Sequence, residues 1–273
     1  ASGIDTDHES ISWDEAKEKL RNGLAVLVRE GSASRNLTAI LRGVIDEGVD
    51  VSSLAFCTDD KHLADIRREG TIRHCVQMAI ELGMEPVRAL RLATINAARI
   101  YGLHRVGAVA PGWQADLVVF DNLQSLTPQA VFHKGMDALK ACEKITPVMP
   151  NVSLQGSVKP AAFSADTFAL SHFADDREYP VITMLPGEIF TEKSTIMGKD
   201  IASALEKGDV HLIAVLERHH GTGNVGLGLL RGYGLKDGAV ATTVAHDSHN
   251  LIVIGTSPEA MNAAAKELVR VQG

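Results

Sequence analysis

The first 60 residues alternate between short apolar runs and longer amphipathic stretches. Each apolar run ends in polar residues, in the order Asp7-His8-Glu9, Arg29-Glu30 and Asp59-Asp60. The intervening stretches repeat apolar positions with a period near 3.6 residues, which is typical of helices packed on one face. Strands that alternate with helices predict parallel βα units, whose strands carry functional groups at their carboxyl ends. We therefore expect three successive strand ends of one barrel, facing one pocket.

The same patterns predict most elements of residues 1–122. Boundaries follow from caps, such as Ser12 with Glu15 in a capping box, and from glycines that end helices. Helices are predicted at 12–22, 36–47, 70–82 and 86–102, and strands at 24–28 and 53–57. Residues 105–121 predict a tight β-hairpin that turns at Pro111-Gly112.

A second α/β unit is predicted from Val181 onward. Its predicted elements are helices at 200–207 and from Pro258, and strands at 210–216, 239–244 and 251–255. Two polar segments interrupt them, a glycine-rich loop at 220–228 and the cluster 246–250. Residues 123–179 have little periodicity and hold four prolines, so we interpret them as the connection between domains.

Composition and charge exclude several classes of protein. A formal net charge of -7 disfavours nonspecific binding to nucleic acid, which needs a cationic surface. No apolar stretch approaches the roughly 18 residues of a membrane helix, and the first residues do not resemble a signal peptide. The three cysteines are widely spaced, which argues against a disulfide framework and predicts a cytoplasmic protein.

His8 and the pair Asp59-Asp60 are the first candidates for chemistry. Neutral imidazole is a common ligand for divalent metals, although a histidine here could instead form a hydrogen bond at a helix entrance. Carboxylates at a strand end are costly to bury unless a metal or a proton shuttle uses them. Adjacent strand residues point to opposite sides, so one of the two aspartates can face the barrel axis. We expect His8 and Asp59 to converge on one cation-sized position.

Other polar segments leave more than one interpretation open. Arg29 and Glu30 could recognise a polar heterocycle or pair with each other. The loop 220–228 could bind phosphate, but it lacks the Lys-Ser/Thr of a P-loop and the spacing of a dinucleotide fingerprint. The cluster 246–250 could bind a metal, support metal ligands, or form an ordinary polar turn.

Missing motifs exclude two catalytic designs. The sequence has no Cys-x-x-Cys and no His-x-Glu with a downstream cysteine pair, which the small zinc deaminases of nucleobases require. It also lacks Gly-x-Ser-x-Gly, the nucleophile elbow of serine hydrolases.

Several segments resemble a known family. Residues 94–99 (Thr-Ile-Asn-Ala-Ala-Arg), 107–112 and 115–119 resemble the ending shared across the amidohydrolase superfamily, where the chain leaves the barrel and completes a small β-sandwich. Further segments narrow the resemblance to the bacterial and archaeal adenine deaminases; these are residues 6–9, 29–32, 57–60, 217–224 and 244–250.

The resemblance implies an α/β fold in three parts. Residues 1–104 would form the C-terminal part of a TIM-type (β/α)8 barrel, the barrel of metal-dependent hydrolases. Residues 105–180 would form a β-sandwich segment with a connection, and residues 181–273 an incomplete C-terminal α/β domain of the adenine deaminase type. Most of the family's metal ligands would lie upstream of residue 1. The resemblance thus implies the C-terminal portion of a longer chain, inactive alone.

The resemblance also implies an activity. Adenine would be hydrolysed to hypoxanthine and ammonia, a reaction of purine salvage, with water activated by a divalent pair of manganese or iron, zinc being possible. The partners implied are the small-molecule substrate and either further copies of the chain or the missing N-terminal part, with no nucleic acid and no membrane.

Site residues carry over by position. His8 and Asp59 would bind the metal, and Asp59, or Asp60 in its place, would shuttle the proton from water to the leaving group. Substrate binding is implied for three residues: Arg29, Glu30 and Ser32. A supporting role is implied for six others: Glu217, His219, His246, Asp247, His249 and Asn250.

Two alternatives remain at this point. The chain could belong to another hydrolase of cyclic amides or amidines in the same superfamily. It could also act as a non-catalytic purine-binding module, built from the second α/β unit with its glycine-rich loop and histidine cluster.

Overall fold

The chain divides into two compact units, residues 1–147 (unit 1) and residues 148–273 (unit 2). The computed structural model describes residues 3–143, 146, 148–149, 156–170, 173–186, 190–245 and 248–273. Each unit has its own hydrophobic core.

Unit 1 begins with three parallel strands, each followed by a helix. The elements are β1 (Thr6–Asp7), α1 (Trp13–Arg21), β2 (Ala25–Arg29), α2 (Leu37–Asp46), β3 (Leu54–Cys57) and α3 (Leu63–Glu69). The strands lie side by side in the order β1-β2-β3. The predicted alternation of strands and helices is confirmed.

A buried cation lies on the face of this sheet opposite the core residues of unit 1. Val26 and Val28 of β2 and Leu54 and Phe56 of β3 belong to the buried apolar core of unit 1. Because side chains alternate along a strand, Arg29 lies on the opposite face, although it is only 1% exposed. A buried guanidinium at the end of a core strand needs anionic or polar partners.

Three further helices complete the core of unit 1: α4 (Ile72–Glu81), α5 (Pro86–Leu92) and α6 (Ile95–Ile100). The single helix predicted at 86–102 is wrong, because the chain breaks between α5 and α6. Thr94 leaves the helical region, with φ -132° and ψ -98°, and its hydroxyl donates to the Leu90 carbonyl at 2.7 Å. Local periodicity continues across this break, so it did not reveal it.

Asn96 of α6 joins the helices to β3. Its side chain is fully buried, and its Nδ2 donates to the Val51 carbonyl at 2.6 Å and to the Leu54 carbonyl at 3.1 Å. One side-chain amide thus ties α6 both to the turn before β3 and to the first residue of β3.

Replacing Asn96 with alanine is expected to destabilise unit 1. Removing the amide takes its donor from the buried Leu54 carbonyl, while the Val51 carbonyl keeps the Leu54 amide at 2.9 Å, at a cost of about 1–3 kcal/mol in the free energy of unfolding. Urea unfolding checks this. The matched control is Asn22→Ala, at the exposed end of α1, where a change within about 0.5 kcal/mol is expected. Equal effects of the two variants would contradict the assignment.

The predicted hairpin at 105–121 is wrong in its pairing. The turn at Pro111-Gly112 exists, with the Trp113 amide donating to the Ala110 carbonyl at 3.1 Å. The strand that follows, however, pairs with a downstream partner. The antiparallel elements are β4 (Leu117–Phe120), β5 (Pro128–His133) and β6 (Met136–Asp137), followed by α7 (Ala138–Cys142).

Unit 2 is a six-stranded sheet with helices. Its strands are β7 (Glu178–Met184), β8 (Thr191–Met197), β9 (Val210–Leu216), β10 (Val225–Arg231), β11 (Ala239–Thr242) and β12 (Leu251–Gly255). Its helices are α8 (Gly198–Glu206), α9 (Pro258–Val271) and a short 3-10 helix at Ala165–Phe168. The order is β11-β12-β9-β10-β7-β8, and all neighbours are antiparallel except β7 and β10.

Four of the nine residues of the predicted glycine-rich loop at 220–228 belong instead to a strand. β10 begins at Val225, which pairs with Leu216, so β9 and β10 form a hairpin around residues 217–224. Glycine at 226 and 228 suggested a loop from sequence, but neither has a positive φ.

Within the described ranges, every helix falls short of the length or hydrophobicity that a membrane span requires.

Candidate active site

Three side chains converge where β1 and β3 end in unit 1. His8 and Glu9 follow β1, and Asp59 follows β3. One nitrogen or oxygen of each lies within 4.8 Å of those of the other two, and His8 Nε2 is 3.2 Å from Glu9 Oε1. The expected convergence of His8 and Asp59 is therefore observed. Glu9 is an addition that sequence reasoning missed.

Arg29 links the two carboxylates of this cluster. Its Nη1 donates to Glu9 Oε2 at 3.0 Å and to Asp59 Oδ2 at 2.9 Å. Its Nη2 lies 3.5 Å from Asn36 Oδ1. The guanidinium comes from the last residue of β2, so the middle strand supplies a cation between groups carried by its two neighbours.

Asp59 itself has an unusual backbone. Its φ of +48° lies in the left-handed region, where a non-glycine residue is uncommon, though aspartate is better tolerated than most. β3 ends at Cys57, so Asp59 and Asp60 occupy a loop, and the predicted alternation of the two along a strand is wrong. The Asp59 carbonyl accepts from the Lys61 amide at 2.9 Å, which closes a tight turn.

The loop after β2 packs directly against this turn. The Ser32 amide donates to the Asp60 carbonyl at 3.0 Å, and Ser32 Oγ accepts from the His62 amide at 2.9 Å and donates to Asp65. A Cβ on Gly31 would lie 2.7 Å from the Thr58 carbonyl oxygen. The two loops therefore fit together only with glycine at position 31.

Glu30 belongs to a second group of charges. It is 2% exposed, and Arg35 Nη1 donates to its Oε1 at 3.3 Å. Burial raises the pKa of the Glu30 carboxyl above its ordinary value. Arg35 also binds Glu69, whose pKa is lowered to about 2 by hydrogen bonds from Arg35, Lys61 and Arg68. Arg29 and Glu30 thus have different partners rather than each other.

The donor set at β1 and β3 suits a divalent metal. An imidazole nitrogen with two carboxylates is a combination that manganese, iron and zinc accept. Since metal–ligand distances are roughly 2.0–2.2 Å, two ligands of one ion lie at most about 4.4 Å apart. The side chains of His8, Glu9 and Asp59 need only small rotations to meet that limit. His8 and Glu9 are exposed, so they have room to rotate.

In unit 2, Glu217 organises the loop between β9 and β10. Its carboxylate accepts from the amides of His219, His220 and Thr222 and from the Thr222 hydroxyl, the His220 and Thr222 amides lying at 2.8 and 2.9 Å. Both oxygens are used within the loop itself. The local role of Glu217 is to fix residues 219–222.

The other predicted residues of unit 2 lie near this loop. His219 Nε2 lies 2.9 Å from the Ser248 carbonyl oxygen. His249 has a left-handed backbone, with φ +46°, and its carbonyl accepts from Arg218 Nε at 2.6 Å. Asn250 lines the same pocket as Glu217, and within the described part of the chain its buried Oδ1 has no hydrogen-bond donor. His246 and Asp247 lie outside the described residues.

The buried Arg218 is a further residue that sequence reasoning did not identify. Besides His249, its Nη1 donates to the Ser157 carbonyl at 3.1 Å and to the Ser157 hydroxyl at 3.2 Å. It ties three segments of unit 2 together. The only signal in sequence was its place beside Glu217, because a short-range pattern cannot show partners 31 and 61 residues away.

The loop of Glu217 is expected to weaken in acid. Hydrogen bonds from Thr222 and the neighbouring amides lower the pKa of the Glu217 carboxyl from 4.5 to about 2. A lowered folded pKa contributes stability that is present above pH 4.5 and is lost as pH falls toward 2. The measurement is the protection factor of the Thr222 amide, that is, its intrinsic hydrogen-exchange rate divided by the observed rate at the same pH. Following this protection factor over the interval checks the expectation. In Glu217→Gln the amide should already exchange faster at neutral pH and lack this pH response; identical profiles would contradict it.

Comparison with known proteins finds a family model that matches most of each unit. Residues 7–155 match the family model described as "Amidohydrolase family", and residues 188–273 match "Adenine deaminase C-terminal domain". Two solved structures share a partial likeness at 19% identity. A β-aspartyl dipeptidase from Fervidobacterium islandicum has a TM-score of 0.39 over 48% of this chain and 38% of its own, and an amidohydrolase from Thermotoga maritima has 0.36 over 46% and 34%.

Curated relatives match the whole chain. A protein of Desulfitobacterium hafniense named adenine deaminase is 41% identical over 275 residues, and one of Sinorhizobium fredii with the same name is 44% identical over 280 residues. Both alignments cover 100% of this chain and 48% of the relative, so the chain spans about half the length of the curated relatives it matches. Since the amidohydrolase model covers more than half of the 273 residues, the chain belongs to the amidohydrolase family.

Proposed function

We propose that this chain supplies part of the active site of an enzyme that hydrolyses adenine to hypoxanthine and ammonia. The observation that carries the proposal is the convergence of His8, Glu9 and Asp59 beside the buried Arg29. Relatives named adenine deaminase, similar over the whole chain, support the choice of substrate. The reaction would serve purine salvage in the cytoplasm, in keeping with three cysteines that are all free thiols.

We also propose the barrel architecture of the larger family. The three parallel strands of unit 1, each followed by a helix, support this proposal, because a (β/α)8 barrel repeats the same alternation. In this proposal residues 1–104 belong to the barrel, residues 105–180 to a β-sandwich segment with a connection, and residues 181–273 to the C-terminal domain. The remaining strands would come from a polypeptide as long as the relatives, or from association with it, and a homo-oligomer is the expected assembly.

The metal would be held by His8 and Asp59, with Glu9 as a third donor. When bound, a divalent ion, manganese or iron before zinc, supplies the Lewis acidity that lowers the pKa of water from about 15.7 to near 7. Among the described residues, this is the one cluster of three donors. The ligands of a second ion would include residues other than these three.

Asp59 would carry the proton. Its carboxylate accepts a proton from the attacking water and returns it to the amino group that leaves C6, so that water adds to the ring and ammonia departs. Asp60 is the alternative for this role. Glu30 and Ser32 are proposed to position the purine, through a carboxyl beside Arg35 and through the loop that packs on the Asp59 turn. The supporting role implied for the residues of unit 2 stays a prediction.

A chimaera tests the function. Residues 1–273 would replace the matching segment of the Desulfitobacterium hafniense relative, and the protein would be loaded with manganese or iron. We expect adenine to disappear with equimolar hypoxanthine and ammonia. The isolated chain is the comparison and should show no turnover.

The substrate panel includes hydantoins and dihydroorotate. Turnover of one of these in place of adenine would assign the chain to a different amidohydrolase. A folded, metal-loaded chimaera that leaves adenine intact, while the parent relative consumes it, would overturn the proposal.

A further inference from the structure

We propose that Arg29 is a positioning residue that holds Glu9 and Asp59 in the arrangement a divalent cation needs, and that Glu9 is thereby a ligand of the same ion. The inference rests on the proposed metal site. It assigns Arg29 to the two carboxylates rather than to the purine.

The hydrogen bonds of Arg29 carry the first step. One nitrogen, Nη1, donates to both carboxylates, at 3.0 Å to Glu9 Oε2 and at 2.9 Å to Asp59 Oδ2. Each carboxylate therefore has its other oxygen, Glu9 Oε1 and Asp59 Oδ1, left for a second partner. Glu9 Oε1 is the oxygen that lies 3.2 Å from His8 Nε2. The guanidinium thus determines which oxygen of each carboxylate faces the cluster.

Burial makes this arrangement rigid. The Arg29 side chain is 1% exposed, whereas those of Glu9 and Asp59 are 57% and 31% exposed. Arg29 ends a core strand, while its partners follow strand ends and could otherwise adopt several rotamers. A planar guanidinium fixed by packing offers its donors in a set direction, so the strand dictates where the carboxylates lie.

Charge supplies the second step. Two carboxylates this close repel each other, and the repulsion grows as water is excluded. Arg29 offsets one of the two charges and still leaves a net negative pair that attracts a divalent ion. Lys61 and Arg35 do not compete for this role, because both pair with Glu69 in the second group of charges.

The test is the affinity of the chimaera for Mn²⁺, measured from the free-ion signal in electron paramagnetic resonance. Removing a partner that orients metal ligands typically weakens affinity about 10- to 100-fold, and we expect a loss in this range for Arg29→Gln. Arg29→Lys keeps the charge but not the planar donors. Its affinity for Mn²⁺ should fall between that of the unmutated protein and that of Arg29→Gln. Glu9→Gln should weaken Mn²⁺ binding as well.

The matched control is Arg35→Gln, which removes a guanidinium from the neighbouring group of charges and should leave Mn²⁺ affinity unchanged. Circular dichroism and thermal unfolding establish that each variant is folded, and Arg29→Lys serves if Arg29→Gln is not. Unchanged or tighter Mn²⁺ binding in a folded Arg29 variant would overturn the proposal, as would an unmutated chimaera that binds no Mn²⁺. Adenine turnover is not measured, so failure here is distinct from failure of the proposed reaction.

Discussion

Replacing Asp59 with asparagine is expected to lower kcat for adenine in the chimaera by about 10²- to 10⁴-fold, the range for loss of a positioned acid–base group. Asparagine has nearly the same shape, and its Oδ1 can still accept from Arg29. What it loses is the ability to take a proton from water and return it to the leaving amine, together with the negative charge that would help hold the metal, so the rates are compared at saturating metal. Initial rates of ammonia release at saturating adenine measure the effect.

The matched control is Asp60→Asn, the same change one residue later. The Asp60 carbonyl accepts from the Ser32 amide, and that contact is kept in the variant. We expect a change in kcat of less than about tenfold, well below the range for an acid–base group. If Asp60→Asn is the more damaging variant, Asp60 carries the proton and the roles of the two carboxyls are exchanged.

Much of the fold of unit 1 was predictable from sequence, because it follows from local patterns. The capping residue Ser12, the apolar strands β2 and β3, and the helices between them are each specified by neighbours within a few positions. The errors came where pairing or breaks depend on distant residues. Nothing near Leu117 shows that its strand partner lies at Phe132 rather than upstream.

The candidate site was predictable in part for the same reason. His8 and Asp59 stood out as polar residues at strand ends, and parallel strands bring such ends together. Glu9 stood beside His8 in sequence, but nothing local identified it as a metal ligand. That assignment depends on Arg29, which contacts Glu9 from another strand. The residue type of Arg29 was known from sequence, but the direction of its side chain was not. A contact of Arg29 with the substrate and a contact with a carboxylate therefore both remained open.

Gly31 shows how little room the site leaves. A Cβ at this position would lie 2.7 Å from the Thr58 carbonyl oxygen and 3.2 Å from that of Asp60. Both contacts are to backbone, which cannot move aside without displacing the turn that holds Asp59. The loops after β2 and β3 therefore position the site only as a pair.

Replacing Gly31 with alanine is accordingly expected to cost about 3 kcal/mol in the free energy of unfolding, the upper end for overpacking. Because the strain falls on the Asp59 turn, kcat for adenine in the chimaera should also fall by about 100-fold, as misplacement by about 1 Å does elsewhere. Gly226→Ala is the matched control, since no atom lies within 4 Å of its Cβ position and its φ is not positive. Urea unfolding and initial rates measure both quantities. A Gly31→Ala protein as stable and as active as Gly226→Ala would show that the two loops are not coupled and that the close contact of Gly31 with Thr58 does not hold the Asp59 turn.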